Sequence, residues 1–337
     1  MTATNTATVL ADTPASQAPA DQQLSALAGL CKAAADPLRL QVLRVLCKDS
    51  FGVSELCSIF DIRQPALSHH LKVLASAGLV ATRREGNSIF YRRSELGQRA
   101  ELEALHSSIF ETVDQIALPA VIAERLTALH RQREQNSVTF FRDNARKFLQ
   151  QQDLIASYEQ YADTVAQLLR DAPMKHRHTA LEIGPGDGSF LLELGPEFER
   201  VIAVDTAEAM LAQARTRVAA AGLDNIEFIH GDTRATQLRG LQADCAVINM
   251  VLHHTPSPGQ ILQDVASCLA PGGVVLVTDL CRHDQGWARE NCGDLWLGFE
   301  PHELIDWAQA AGLTEIASVY LAQRNGFKVQ VRLFGHP

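Results

Sequence analysis

The stretch TALEIGPGDGSFLLEL, residues 179–194, decides the fold of the second half of this chain. Thr179 to Ile183 is an apolar run of strand length, and SFLLEL carries the apolar spacing of a helix. Between them stand Gly184, Gly186 and Gly188. Glycines here let the backbone turn sharply and bring main-chain N–H groups at the helix start against a ligand. A glycine-rich loop alone is a weak signal, and its neighbours strengthen it. The next strand, RVIAVD, ends in Asp205, 23 residues after Glu182, where a carboxylate can accept from ribose hydroxyls. A third strand, IEFIHGD, ends in Asp232, placed for the exocyclic amine of an adenine.

From residue 178 onward strands and helices alternate, the pattern of a parallel sheet wrapped by helices. The pattern runs through CAVINMVLHH and LAPGGVVLVTDL, and ends in YLAQRNGFKVQVRLFG, where Asn325-Gly326 between two alternating runs signals a closing hairpin. Together these residues resemble the class I S-adenosylmethionine (SAM)-dependent methyltransferases over residues 178–337. The resemblance implies an α/β Rossmann-like domain that binds SAM or its product S-adenosylhomocysteine (SAH). The candidate ligand-binding residues are Glu182, Gly184, Gly186, Gly188, Asp205, Thr206, Asp232, Thr233, Asn249 and Tyr161, with Tyr158 beside Tyr161 as a second cover for the pocket. NAD-type folds share the strand–glycine–helix idea, but their loop reads G-x-G-x-x-G where this one reads E-x-G-x-G-x-G.

Nearer the amino terminus, QPALSHHLKVLASAGLV places Leu67, Leu71 and Leu74 on one helical stripe. Ser68, His69 and Lys72 then face away from it and His70 lies on its flank, so His69 is the better base-reading candidate. VSELCSIF and the tight connection DIRQ precede this helix at the spacing of a helix-turn-helix, with Gln64 at the entry of the second helix. Gly78 is placed to end the helix, and LVATRREGNSIFYRR reads as two strands around Glu85-Gly86-Asn87-Ser88, a wing. Arg83, Arg84, Arg92 and Arg93 flank the turn and are expected on DNA phosphates.

With ADPLRLQVLRVL ahead of it, this segment resembles the ArsR/SmtB winged-helix repressors over about 65 residues. The family implies a homodimer on palindromic operator DNA, with dimer contacts from residues 24–32 and 95–116. Two departures stand out. Metal-sensing members carry paired cysteines in the helix that here reads ELCSIF; only Cys57 is present, and Glu101, Glu103 and His106 lack a second histidine, so no metal is expected. Arg63 stands where a Ser or Thr helix cap is common, leaving Asp61 or water as the expected cap.

Charge supports this division: residues 30–93 carry ten Lys/Arg against five Asp/Glu, leaving −14 of the total −9 to the remainder, a basic module on an acidic body. Seven scattered cysteines without a Cys-x-x-Cys pair argue against a disulfide framework and a common zinc site. No apolar run reaches the ~20 residues of a membrane span, and no signal peptide is recognisable, so the chain is expected to be cytoplasmic. The expected organisation is a disordered tail over 1–22, a winged helix-turn-helix over 23–94, a helical connector over 95–176 and a methyltransferase-like domain over 177–337. In the connector, Phe141, Phe148 and Leu149 are expected to pack down on the sheet.

Catalysis is less legible. His253 and His254 follow the fourth strand and suit either a base or a loop-orienting pair. Asn249-Met250-Val251-Leu252 departs from the Asn/Asp-Pro-Pro-Tyr motif of nucleobase methylation. Trp287, Trp296, Phe299 and Trp307 suit an acceptor pocket or core packing. Two functions follow: a DNA-binding regulator with SAM or SAH as effector, acting on methionine or SAM-cycle genes, or an active small-molecule methyltransferase with an autoregulatory DNA-binding domain.

Overall fold

A computed structural model describes residues 20–47, 49–85, 88–94 and 102–336. Residues 1–19 of the expected tail, Gly86 and Asn87 of the wing turn, Glu101, and the side chains of Phe141, Phe148 and Leu149 lie outside what it describes. The first unit is built from α1 (Ala20–Ala34), α2 (Pro37–Val45), β1 (Phe51–Gly52), α3 (Val53–Phe60), α4 (Gln64–Ser76), β2 (Val80–Glu85) and β3 (Ser88–Arg93). Because α1 starts at Ala20, residues 20–22 are helix and not tail. The leucine stripe of α4 is fully buried with Leu43, Leu56 and Phe51, which fixes the helix by its apolar face. Gly78, at φ +75°, turns the chain out of α4 into β2, which pairs antiparallel with β3. The start of α4 departs from expectation. Asp61 adopts the left-handed cap of α3 and pairs with Arg125, and Arg63 makes no side-chain cap bond, so neither caps α4; Pro65, in its first turn, needs no N–H partner.

Three helices follow: α5 (Glu103–Gln115), α6 (Ala120–Ala156), one helix of 37 residues, and α7 (Ala162–Asp171). The second unit then runs β4 (Thr179–Ile183), α8 (Leu191–Glu197), β5 (Arg200–Asp205), α9 (Glu208–Ala220), β6 (Ile226–His230), β7 (Ala243–Asn249), α10 (Pro258–Ser267), β8 (Leu269–Leu280), α11 (Trp287–Cys292), α12 (Pro301–Ala310), β9 (Thr314–Ala322) and β10 (Lys328–Gly335). Its seven strands lie in the order β6-β5-β4-β7-β8-β10-β9, the first five parallel and the last two joining antiparallel. The chain therefore has a helix-turn-helix unit and a Rossmann-like unit with a mixed sheet. Gly326 takes φ +91° in the closing hairpin, and Asn325 donates to the Leu154 and Ile155 carbonyls, tying that hairpin to the end of α6. Order reverses between β4 and β7, so the carboxyl ends of β4, β5 and β7 open a crevice.

The two units are joined by buried charge. Arg83 of β2 donates to both carboxylate oxygens of Glu303 at 3.2 and 3.0 Å and to the Gly298 carbonyl, and is 6% exposed. Phe90 of β3 meets Trp296 edge-on at 5.3 Å. Arg133 of α6 chelates Glu55 at 2.8 and 2.6 Å and reaches the Pro256 carbonyl at 3.4 Å. Removing one member of a buried ion pair strands its partner's charge. Arg83→Met is therefore expected to lower unfolding stability by about 3–5 kcal/mol in urea titrations of the full chain. Arg83→Met combined with Glu303→Met should recover part of that loss, whereas exposed Arg84→Met should stay within about 0.5 kcal/mol of wild type.

Candidate functional site

At the crevice lies a cavity of about 1140 Å3. Its walls bring together Glu182, Gly184, Gly186, Asp205, Thr206, Asp232, Thr233, Asn249 and Tyr161, with Tyr158 meeting Tyr161 edge-on at 5.8 Å. Gly184 and Gly186 both take positive φ. A Cβ on Gly184 would meet Val251 at 2.6 Å, whereas one on Gly186 would find only Met210, at 4.0 Å, so Gly186 presents bare backbone to the cavity. Gly188 is a correction. It does not line the cavity; its Cβ would lie 2.9 Å from the Ala214 backbone, so it is glycine to let the loop lie against α9.

The polar atoms of the cavity fall into two groups. Asp205, in the cavity wall, accepts from the Ala207 N–H through Oδ1 at 2.8 Å. Burial pushes its carboxyl up to about 6. Asp232 is engaged by the Arg234 main chain and guanidinium, and Thr233 donates to Asp264 at 2.6 Å. By contrast, both side-chain polar atoms of Asn249 and Oε2 of Glu182 are buried without a hydrogen-bond partner. Burial first, then Asp187, pushes the Glu182 carboxyl up to about 8. Buried polar groups require partners, and these converge where β4 and β7 end. The one non-glycine residue besides Asp61 with positive φ among the described residues, Met250, sits at the same strand end.

The two histidines separate. His253 is 1% exposed and lies behind the cavity wall, its Nδ1 2.7 Å from Asp279, so it is not placed to touch a ligand. Burial lowers its pKa, but Asp279 and Asp294 outweigh that and raise it. His254 lines the cavity; burial and then His253 hold it well below the usual histidine value, which keeps its ring neutral. His253, His254 and Asp294 bring ligand atoms within 4.8 Å of one another. None of Trp287, Trp296, Phe299 or Trp307 lines the cavity: Trp296 packs on the wing, Trp307 on Phe299 and Trp287 on Phe327.

In the helix-turn-helix, Gln64, His69 and Lys72 are exposed along α4 and Ser68 is half-buried, while His70 lies 3.8 Å from Asp36. Arg84 is exposed. Arg83 is the second correction: the second unit covers it, and its guanidinium is turned from phosphate to Glu303. Arg92 is partly covered as well, 3.3 Å from His302, and Arg93 is held by Asp114 and the Leu43 carbonyl. Sequence reasoning missed Asp49, His130, Arg44 and Asp264, which reach the cavity from distant segments that carry no motif.

Comparison with known proteins separates the same two parts. The family model described as a methyltransferase domain matches residues 148–330, and that of bacterial regulatory proteins of the arsR family matches residues 36–82. The chain is similar to the biofilm growth-associated repressor of Agrobacterium fabrum, 42% identical over 87 residues, which are 26% of this chain and 74% of the repressor. It is similar to the transcriptional activator HlyU of Vibrio cholerae, 43% identical over 77 residues, 23% of this chain and 71% of the activator. Its second half is similar to the demethylmenaquinone methyltransferase of Shouchella clausii, 29% identical over 125 residues, 36% of this chain and 53% of that enzyme.

The raised carboxyls of Glu182 and Asp205 give the cavity a pH signature. Both are protonated more readily folded than unfolded, so their contribution is fully present below their unfolded values and is lost as pH rises through about 6 and about 8. Thermal melts of the ligand-free protein should show stability falling from about pH 5 to about pH 9, and Glu182→Gln should remove a few kcal/mol of that fall. An unchanged pH slope in the variant would refute the burial assigned to Glu182.

Proposed function

This chain belongs to the methyltransferase domain family and carries an arsR-family regulatory domain, and we propose that it is a DNA-binding transcription regulator whose methyltransferase domain takes SAM or SAH as its effector. The residues present fit an adenosyl amino acid. Asp205 presents a carboxylate in the cavity wall for the ribose, the Gly186 backbone is open to the cavity, and Asn249 and Glu182 offer buried, unpartnered polar atoms where the amino-acid part would lie. SAM, when bound, supplies an electrophilic methyl group; SAH does not.

A single observation carries the regulatory reading: ligand cavity and DNA-binding unit share a wall. Arg44, Val45, Cys47 and Asp49 of the winged helix line the same cavity as the glycine loop. The wing itself is gripped through Arg83, Phe90 and Arg92. A ligand that alters this wall changes how α4 and the wing are presented to an operator, which is the differential contact that coupling requires. Leu24, Leu27 and Ile116, apolar and exposed on α1 and after α5, suit the homodimer that reading a palindrome needs. One observation favours turnover instead: a neutral His254 ring faces the cavity, where it can orient a methyl acceptor by hydrogen bonding.

Operator affinity is the deciding measurement, with a duplex recovered by selection from random DNA. Titrations with no ligand, with SAM and with SAH should differ by about 5- to 150-fold in at least one comparison. Three equal affinities would overturn the effector reading, and methyl transfer to a small molecule under the same conditions would replace it.

On the DNA, His69→Ala is expected to reduce preference at one base position by about 1–3 kcal/mol. Arg84→Ala should weaken binding to all sequences alike and flatten the salt dependence. Unaltered specificity in the His69 variant would displace the assigned register of α4.

A further inference from the structure

The cavity is larger than one adenosyl ligand requires. Small-molecule pockets run roughly 300–1000 Å3, and this one, at about 1140 Å3, exceeds that range. Its glycine-loop end is accounted for by the residues above. The other end is walled by Val45 and Asp49 of the winged helix, by Leu118 ahead of α6, by Leu126 and His130 on α6, and by Pro256 of the second unit.

Asp49 distinguishes this end. Its side chain is 9% exposed, and Oδ2 lies 3.2 Å from His130 Nε2. Oδ1 is buried and has no hydrogen-bond partner. A buried carboxylate oxygen without a donor is costly, by an amount comparable to a lost charged hydrogen bond, so a fold that retains one in a cavity wall is arranged for a donor from outside. His130, beside that carboxylate, stacks on Phe51 at 5.9 Å. The charge of the cavity adds to this. Six acidic side chains line it, Asp49, Glu182, Asp187, Asp205, Asp232 and Asp264, of which Glu182, pushed up to about 8, is mostly uncharged at neutral pH, and its two guanidiniums, Arg44 and Arg234, each lie against a carboxylate, of Asp114 and Asp232. Such a lining favours a cation.

We propose that the winged-helix end of the cavity binds a second small molecule alongside the adenosyl ligand: an organic ammonium with a compact apolar body, its N–H donated to Asp49 Oδ1 and its body against Val45, Leu118, Leu126 and Pro256. The proposal rests on the reading of the glycine-loop end as a SAM or SAH site. Its consequence for regulation is direct, because the occupant touches the DNA-binding unit, α6 and the methyltransferase unit at once. The regulator thus integrates two signals, a nucleoside and an amine.

The probe is phenethylamine, titrated calorimetrically into the full chain saturated with SAH, with phenylacetate, of like size and opposite charge, as control. Phenethylamine is expected to bind and phenylacetate not to. Asp49→Asn should weaken phenethylamine by at least about tenfold while leaving SAH affinity at the wild-type value. Equal binding of the two probes, phenethylamine binding unaffected by the substitution, or normal SAH binding with no phenethylamine binding at millimolar concentration would each overturn the second site. Failure of wild type to bind SAH would instead strike the reading of the glycine-loop end.

Discussion

The guanidinium of Arg133 is the point on which the arrangement of this molecule turns. It projects from α6 between Phe51 of the winged helix and Trp296 of the methyltransferase unit, 4.9 and 5.9 Å from their rings. It holds both oxygens of Glu55 and reaches carbonyls on either side, at Ser50 and Pro256. A bidentate, nearly dry pair of this kind has its desolvation offset only when most of its hydrogen-bonding capacity is met, and here it is met by atoms from three segments. Displacing any of the three leaves a charge poorly solvated. That requirement holds the two units against one helix.

Around this junction the roles of neighbouring residues divide by face. Successive strand residues point to opposite sides, so of the adjacent pair Arg83 and Arg84 one must turn inward once another layer covers the wing. Arg83 turns in, onto Glu303, and Arg84 stays out. Similarly, His253 and His254 are adjacent but serve different surroundings, one braced by Asp279 and the other set in the cavity wall. The second unit thus does more than enclose a cavity: its late helices form the platform on which the β2–β3 hairpin rests.

Much of this could be read in the chain itself. The strand–glycine–helix at 179–194, the acidic strand ends and the leucine stripe of α4 are local patterns, and local patterns survive into structure because each residue's neighbours along the chain decide its conformation. What could not be read depends on contacts between distant segments. Gly186 and Gly188 look alike in sequence, yet one is bare toward the cavity and the other is glycine because α9 passes 2.9 Å from where its Cβ would stand. Basic residues flanking a wing turn suggest phosphate, and only the position of α12 reveals that Arg83 has another partner. Asp49 and His130, 81 residues apart, belong to no motif.

The unbroken length of α6 makes it a phase lock between the two units. At about 1.5 Å per residue its 37 residues span about 55 Å, and it packs against α3 near its start and against α9 and α11 further on. A single inserted or deleted residue between those contacts would rotate everything downstream by about 100° about the helix axis and move it along by about 1.5 Å. Arg125 and Arg133 would then keep their grip on the first unit while the second swung away from the wing. The helical phase of α6 therefore fixes how the two units meet, whereas a change of length in the turn at residues 117–119, ahead of α6, leaves that phase untouched.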